Sequence, residues 1–361
     1  MLRTVFIILL LIHALIHSMG FIKGMGWAKM EQLSQPISRG WGLMWFLASL
    51  LFLTTLGTFW VDRPLWWIWA SGAVLLSQIL IIRQWKDARW GTFANAIVLV
   101  GCLIGWGNHR FDSRSMEERD ALFEWADNTM TIQSIQTDEQ LPEPVVRWLS
   151  LSGDGSWPSG KDIIHYRQTG RMLTEKGGNW KDFSAQQWFT TDVPGFLWNA
   201  HVGRGSFMPF SGRDKMVDGH GEMRIEAYSF ITVVNASGPE IDQGVTIRYL
   251  SEIVWFPFAA RKPFIRWTSV DDRSAVASMD YPEGQVDVTF HFDKEGKVSW
   301  VEALRFNQDL NKLVNWRVEL DPSSWKEING VYIPTHASVS WDLPEGPFTW
   351  LEVDICPPLE R

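Results

Sequence analysis

Four apolar blocks fill the first hundred or so residues, and the remainder is polar with strand-like patterning. A helix needs about 20 apolar residues to cross a bilayer core. Residues 5–22 and 41–60 supply that length. Residues 65–82 lie near the short end of the range, and 92–106 is shorter still and carries Gly101 and Gly105. Arg3 ahead of the first block is a signal-peptide feature. No small-residue cleavage site follows it, however, and three more apolar segments come after, so the block reads as a span. Phe46, Trp60, Trp66, Trp67 and Trp69 sit near segment ends, where amphipathic rings favour the membrane interface. The chain is therefore predicted to divide into a four-helix transmembrane anchor (1–110), a juxtamembrane linker (111–140) and a β-rich soluble domain (141–361).

Orientation follows from Lys and Arg in the short loops. The first and third loops hold Lys23, Lys29, Arg39, Arg83, Lys86 and Arg89; the N-terminus and second loop hold Arg3 and Arg63. Six against two places the first and third loops in the cytoplasm. Both termini and the large domain then lie outside, although Arg110, Arg114 and Arg119 after the last span work against that bias. The net charge of −8 argues against nucleic acid, which needs basic patches. It provides no polybasic lipid signature either. Cys102 and Cys356 form no CxxC, so neither a zinc nor a redox motif is supported and no cofactor is expected.

Beyond the anchor, residues 141–152 read as a short amphipathic helix and 153–160 as a Gly/Ser/Pro loop. Strand signals follow at 163–174, 185–190, 195–202, 207–216 and 222–234. Residues 239–259 then show helical spacing. Strands resume at 265–270, 275–279, 286–292, 298–306, 316–320, 325–328, 331–341 and 348–355. Asp293-Lys-Glu-Gly296 and Asn329-Gly330 are hairpin turns. No βα repeats occur, so Rossmann and barrel α/β folds are excluded. The expectation is an α+β domain, mainly antiparallel β: a half-open β-barrel with an inserted helix in its concave face, or alternatively a β-sandwich.

His13-Ala-Leu-Ile-His-Ser-Met-Gly-Phe-Ile-Lys23, Gln35-Pro-Ile-Ser-Arg39 and Trp85-Lys-Asp-Ala-Arg-Trp-Gly91 resemble the membrane half of an uncharacterised bacterial family. Leu141-Pro-Glu-Pro144, Pro194-Gly-Phe-Leu-Trp198 and Arg248-Tyr-Leu-Ser-Glu-Ile-Val-Trp-Phe-Pro257 resemble its soluble half. That resemblance implies the bacterial cytoplasmic membrane and no assigned activity. On strand order alone the soluble half is similar to LolA-like lipoprotein carriers, which implies a half-barrel sheltering acyl chains.

Several constellations bear on function. His13 and His17 stand i, i+4 on the first span. They are either contacts to haem, metal or quinone, or hydrogen-bond partners of Ser18, Ser71, Ser77, Gln78 or Asn95. Arg248 and Glu252 are likewise i, i+4, sharing a stripe with Val245, Trp255 and Ala259. That pair binds a polar headgroup or fixes the helix on the sheet. Asp218, His220, Glu222 and Glu226 offer a strand-spaced metal site or the solvated side of a hairpin. Asp271-Asp272 falls in a turn and points two ways. The 23 Trp and 21 Phe suggest a ligand cavity or a large core. Trp188, Phe189, Phe196, Trp198, Phe207, Phe210, Phe230, Trp255, Phe256, Phe258, Phe264 and Trp267 crowd the middle of the domain.

Three functional readings follow. The first is a membrane-tethered domain binding a lipid or other apolar ligand, with Arg248, Glu252, Trp255, Trp198 and Trp267 as candidate ligand residues and membrane lipids as partners. The second is a structural or sensory partner-binding protein. The third is an enzyme on a lipid-linked substrate, for which Asp218, His220 and Glu252 are the candidates.

Overall fold

The computed structural model describes residues 2–129, 135–153 and 163–356. Residues 154–160 of the predicted loop and 130–134 of the predicted linker lie outside the described residues. The chain separates into two compact units.

The first unit, residues 1–113 with 205–209 and 228–231, is helical in its main part. Its helices are α1 (Leu2–Met25), α2 (Arg39–Trp60), α3 (Trp66–Arg83), the one-turn α4 (Trp85–Ala88) and the start of α5 (Gly91–Thr129). Helices α1, α2, α3 and α5 are long and apolar enough to cross a membrane. The fourth apolar segment does not end in a break at Trp106, because α5 runs on unbroken for 39 residues. Gly101 and Gly105 are packing positions, not helix breakers. A Cβ at Gly105 would lie 2.8 Å from the Trp66 ring, and one at Gly101 2.8 Å from the Phe6 ring. Leu10, Ala14, Phe52, Ala70, Ala73, Val98 and Cys102 are buried between the helices.

The second unit is a sheet with one helix in its fold. Its strands before the long helix are β1 (Ile163–Met172), β2 (Lys181–Thr190), β3 (Gly195–Val202), β4 (Phe210–Val217), β5 (His220–Ala227) and β6 (Ile231–Ser237). After α6 (Glu143–Ser152) and α7 (Pro239–Glu252) are accounted for, the remaining strands are β7 (Arg266–Asp271), β8 (Ser274–Tyr281), β9 (Gly284–Phe292), β10 (Val298–Asn307), β11 (Lys312–Leu320), β12 (Trp325–Ile328), β13 (Val331–Pro334), β14 (His336–Leu343) and β15 (Gly346–Cys356). Thirteen of them form one sheet in the order β6-β5-β4-β3-β2-β1-β15-β14-β11-β10-β9-β8-β7. β12 and β13 form a separate hairpin across Asn329-Gly330.

The sheet is open. Its two edges, β6 and β7, are consecutive in sequence and joined through α7. Among the described residues only the two-stranded β12–β13 hairpin lies outside the one continuous sheet, so the sandwich alternative does not hold. Helix α7 packs against β4 and β5 and also against β8, β9 and β10, so it lies within the concave face. Pro239 opens it, where a missing N–H costs nothing. Val245, Ile247, Tyr249, Leu250 and Ile253 are buried in the core. The helical pattern read over 239–259 stops at Glu252, and short 3₁₀ turns (Ile253–Trp255, Pro257–Arg261) follow. Pro257 cannot continue the helix. The single strand predicted over 222–234 is two, β5 and β6. Tyr228 and Ser229 turn the chain with φ of 54° and 62°, a conformation ordinarily signalled by Gly or Asn. On the other face, Leu122 of α5 packs on Trp188 and Leu197, and Glu118 meets the buried Arg213 at 2.7 Å.

Candidate functional site

One turn of α7 separates Arg248 from Glu252, so their side chains meet. Arg248 Nε donates to Glu252 Oε1 at 2.9 Å, and both side chains are largely buried. The sheet supplies a second carboxylate: Asp214 of β4 accepts from Arg248 Nη1 at 2.8 Å. Strand pairing places Asp214 opposite Trp198, and Trp198 opposite Gln187. All three therefore share the concave face. Gln187 Nε2 donates to Glu252 Oε2 at 2.6 Å. Gln168 Nε2 donates to Gln187 Oε1 at 2.7 Å, and Trp198 Nε1 donates to Gln168 Oε1 at 2.8 Å. The Arg248 guanidinium lies 4.9 Å from the Trp198 ring centroid and 5.1 Å from that of Phe196. The result is a closed polar chain, Trp198–Gln168–Gln187–Glu252–Arg248–Asp214, set into an apolar surface.

A second guanidinium joins this patch from the far arm of the sheet. Arg305 on β10 is half-buried, and its Cζ lies 5.1 Å from the Trp316 ring. A Cβ at Gly244 of α7 would come within 3.2 Å of its Nε and Nη2, so the glycine there leaves room for the guanidinium to lie along the helix. Among the described residues no oxygen accepts a hydrogen bond from Arg305. Burial, and then the like charge of Arg248, push the Arg305 guanidinium down to about 10. Burial also raises the Glu252 carboxyl above its ordinary range, against the pull of Arg248. Two cations and two carboxylates beside aromatic walls can hold a charged or zwitterionic headgroup.

The other sequence candidates are dispersed. Trp255 follows α7 and is buried; its carbonyl accepts from Tyr166 Oη at 2.7 Å. Trp267 on the edge strand β7 donates to the Ala260 carbonyl at 2.8 Å and packs on Trp148 and Phe290. Asp218 turns the β4–β5 hairpin with φ of 53°. His220 Nδ1 meets Asp242 of α7 at 3.1 Å, while Glu222 pairs with Lys215 and Arg213. Buried Glu226 pairs with Arg114 at 2.6 Å. Asp218 serves the turn, and the other three have three different sets of partners. Among the described residues no three His, Cys, Asp or Glu converge on a metal position. Asp271 accepts from the Arg273 backbone at 2.8 Å, a turn-closing bond, and the Asp272 carbonyl accepts from Arg147.

In the helical unit His13 Nε2 lies 3.0 Å from Asn95 Oδ1 and 3.3 Å from Ser77 Oγ. His17 packs at a tilt against Trp45 and edge-on to Phe52, and among the described residues neither of its ring nitrogens has a side-chain hydrogen-bond partner. Sequence reasoning missed Asp214, Gln187, Gln168 and Arg305. Their only local signal is strand alternation, which places each on a face without saying which face is inward.

The family model described as a family of unknown function, DUF6544, matches residues 131–353. Comparison with curated proteins finds no match. A crystal structure of a DUF1329 family protein from Desulfovibrio piger is similar over 59% of this chain and 88% of that one, with 10% identity and a TM-score of 0.31.

Proposed function

The chain belongs to DUF6544, a family of unknown function, and on that premise we propose that it is a membrane-anchored lipid-binding module. The ligand is an amphipathic molecule whose anionic head meets Arg305 and Arg248 while its apolar body lies along the aromatic concave face. The anchor sits in the bacterial cytoplasmic membrane with the sheet domain on the extracytoplasmic side, as the loop charges favour.

The observation that carries this reading is Arg305. A half-buried guanidinium without an acceptor is unfavourable, and a bound anion would relieve it. Elsewhere in the sheet domain Met172, Phe210, Trp341, Trp350 and Leu351 are half-buried against the core, residue types that usually line a small-molecule site. The four long apolar helices keep the domain close to a lipid source.

The test uses the full chain in lipid nanodiscs with a diazirine-bearing fatty acid and peptide mapping of the photoadducts. Saturable labelling of segments around Met172, Trp198, Arg305 or Trp341, competed by oleate, supports the reading. Labelling confined to residues 2–106 sinks it and leaves a partner-binding role for the domain.

A further inference from the structure

Two loops cluster with the membrane helices, not with the sheet: 205–209, between β3 and β4, and 228–231, between β5 and β6. They are tied to each other, since the Tyr228 amide donates to the Pro209 carbonyl at 2.9 Å. They are also tied to α5. Ser229 Oγ donates to Asn108 Oδ1. A Cβ at Gly107 would sit 2.9 Å from both the Phe230 ring and the Tyr228 carbonyl, so the turn reaches the helix only because position 107 is glycine.

The place of attachment is informative. Trp106 is the last residue of the apolar stretch of α5, and Arg110 is the first charged residue after it. The Arg110 guanidinium lies over the Trp106 ring at 5.5 Å. A Trp–Arg step at a span end marks the headgroup level of a bilayer. Gly107 and Asn108 lie within that step, and the two loops are fastened there. Tyr228 and Ser229 both hold left-handed backbone, which non-glycine residues adopt only when their surroundings require it.

What these loops present is apolar. Phe207 is 82% exposed, Ile231 48% and Met208 44%. A soluble surface seldom places a phenylalanine so fully in water beside two more aliphatic chains. We infer that the Phe207–Met208 loop tip and Ile231 contact the bilayer that the four helices cross, with Phe207 dipping into the boundary between headgroups and acyl chains. The contact is made by loops that are fastened to α5 at Gly107 and Asn108. It rests on the reading of those helices as membrane spans, and not on any ligand in the concave face.

Site-directed spin labelling of the full chain tests it. In a Cys102→Ser, Cys356→Ser background, single cysteines are placed at 207, at exposed Leu99 in the apolar part of α5, and at exposed Val270 on β7. Each is labelled in nanodiscs of phosphatidylglycerol and phosphatidylethanolamine, and accessibility to oxygen and to the water-soluble nickel complex NiEDDA is measured. Position 207 is expected to favour oxygen several-fold over the ratio at 270, though less than at 99. A ratio at 207 equal to that at 270, with 99 lipid-exposed, overturns the inference while the anchor stands. Aqueous exposure at 99 as well would overturn the anchor itself.

Discussion

The Arg248 guanidinium lies 4.9 Å from the Trp198 ring centroid and at the same time joins Glu252 on its own helix to Asp214 on the sheet. One cation thus serves two carboxylates and lies over two aromatic rings, Trp198 and Phe196. Removing different members of this group should therefore have unequal costs.

Arg248→Ala leaves Asp214 and Glu252 facing each other without a cation. Breaking a buried pair in this way costs about 3–5 kcal/mol. Glu252→Ala is milder, because Arg248 retains Asp214, and Glu252→Gln milder again at about 1 kcal/mol. Chemical denaturation of the three variants should rank them Arg248→Ala, Glu252→Ala, Glu252→Gln, from least to most stable. Equal losses for the first two would show that Asp214 does not share the cation.

Stability should also depend on pH through Glu252. Its carboxyl is raised in the folded state, chiefly by burial. The native protein therefore holds a proton that the unfolded chain has released, over the interval from the ordinary carboxylate value up to the raised one. The favourable contribution is complete below that interval and is lost as pH rises through it. The advantage of the wild type over Glu252→Gln in melting temperature should be largest at low pH and shrink as pH rises through the raised range. Parallel curves at every pH would refute this.

Arg305→Met should make the protein more stable and less able to bind. The variant loses a contact with Trp316 worth about 0.5–1 kcal/mol but no longer half-buries a cation that has no hydrogen-bond acceptor among the described residues. A net gain of about 1 kcal/mol is expected, in the manner of stabilising changes at functional positions, which is about 2–4 °C in melting temperature. Saturable fatty-acid photolabelling of the sheet domain should fall in the same variant. A less stable variant that labels as the wild type does would assign Arg305 to packing alone.

The two histidines of α1 should differ although they share a helical face. His13 closes a hydrogen-bonded group with Ser77 and Asn95, so His13→Leu should cost about 1 kcal/mol. His17 has no such partner, and His17→Leu should melt with the wild type or above it. Detergent-solubilised thermal unfolding measures both; a loss at 17 as large as at 13 would point to a bound group at His17.

Much of this architecture is legible locally. Hydropathy marks α1, α2, α3 and the apolar half of α5, because each is a continuous stretch whose solvent preference does not depend on its neighbours. The Asn329-Gly330 hairpin is legible because its left-handed backbone, with φ of 52° and 83°, favours those residue types. The Arg248–Glu252 bond follows from spacing alone, since positions four apart on a helix are adjacent. The Tyr228–Ser229 turn was not legible, because contacts to Pro209 and Asn108 hold a conformation the residues do not prefer.

The chain by itself determined four long apolar helices, an antiparallel β domain and one inserted helix bearing a paired Arg and Glu. These depend on period and polarity, which are properties of short segments. Only the tertiary structure decided that the sheet stays open with α7 joining its two edges, and that Asp214, Gln187 and Arg305 meet Arg248. Those choices rest on strand register between distant segments. A slip of one residue would turn each of these side chains to the opposite face, and nothing local to any one strand records which register its neighbours adopt.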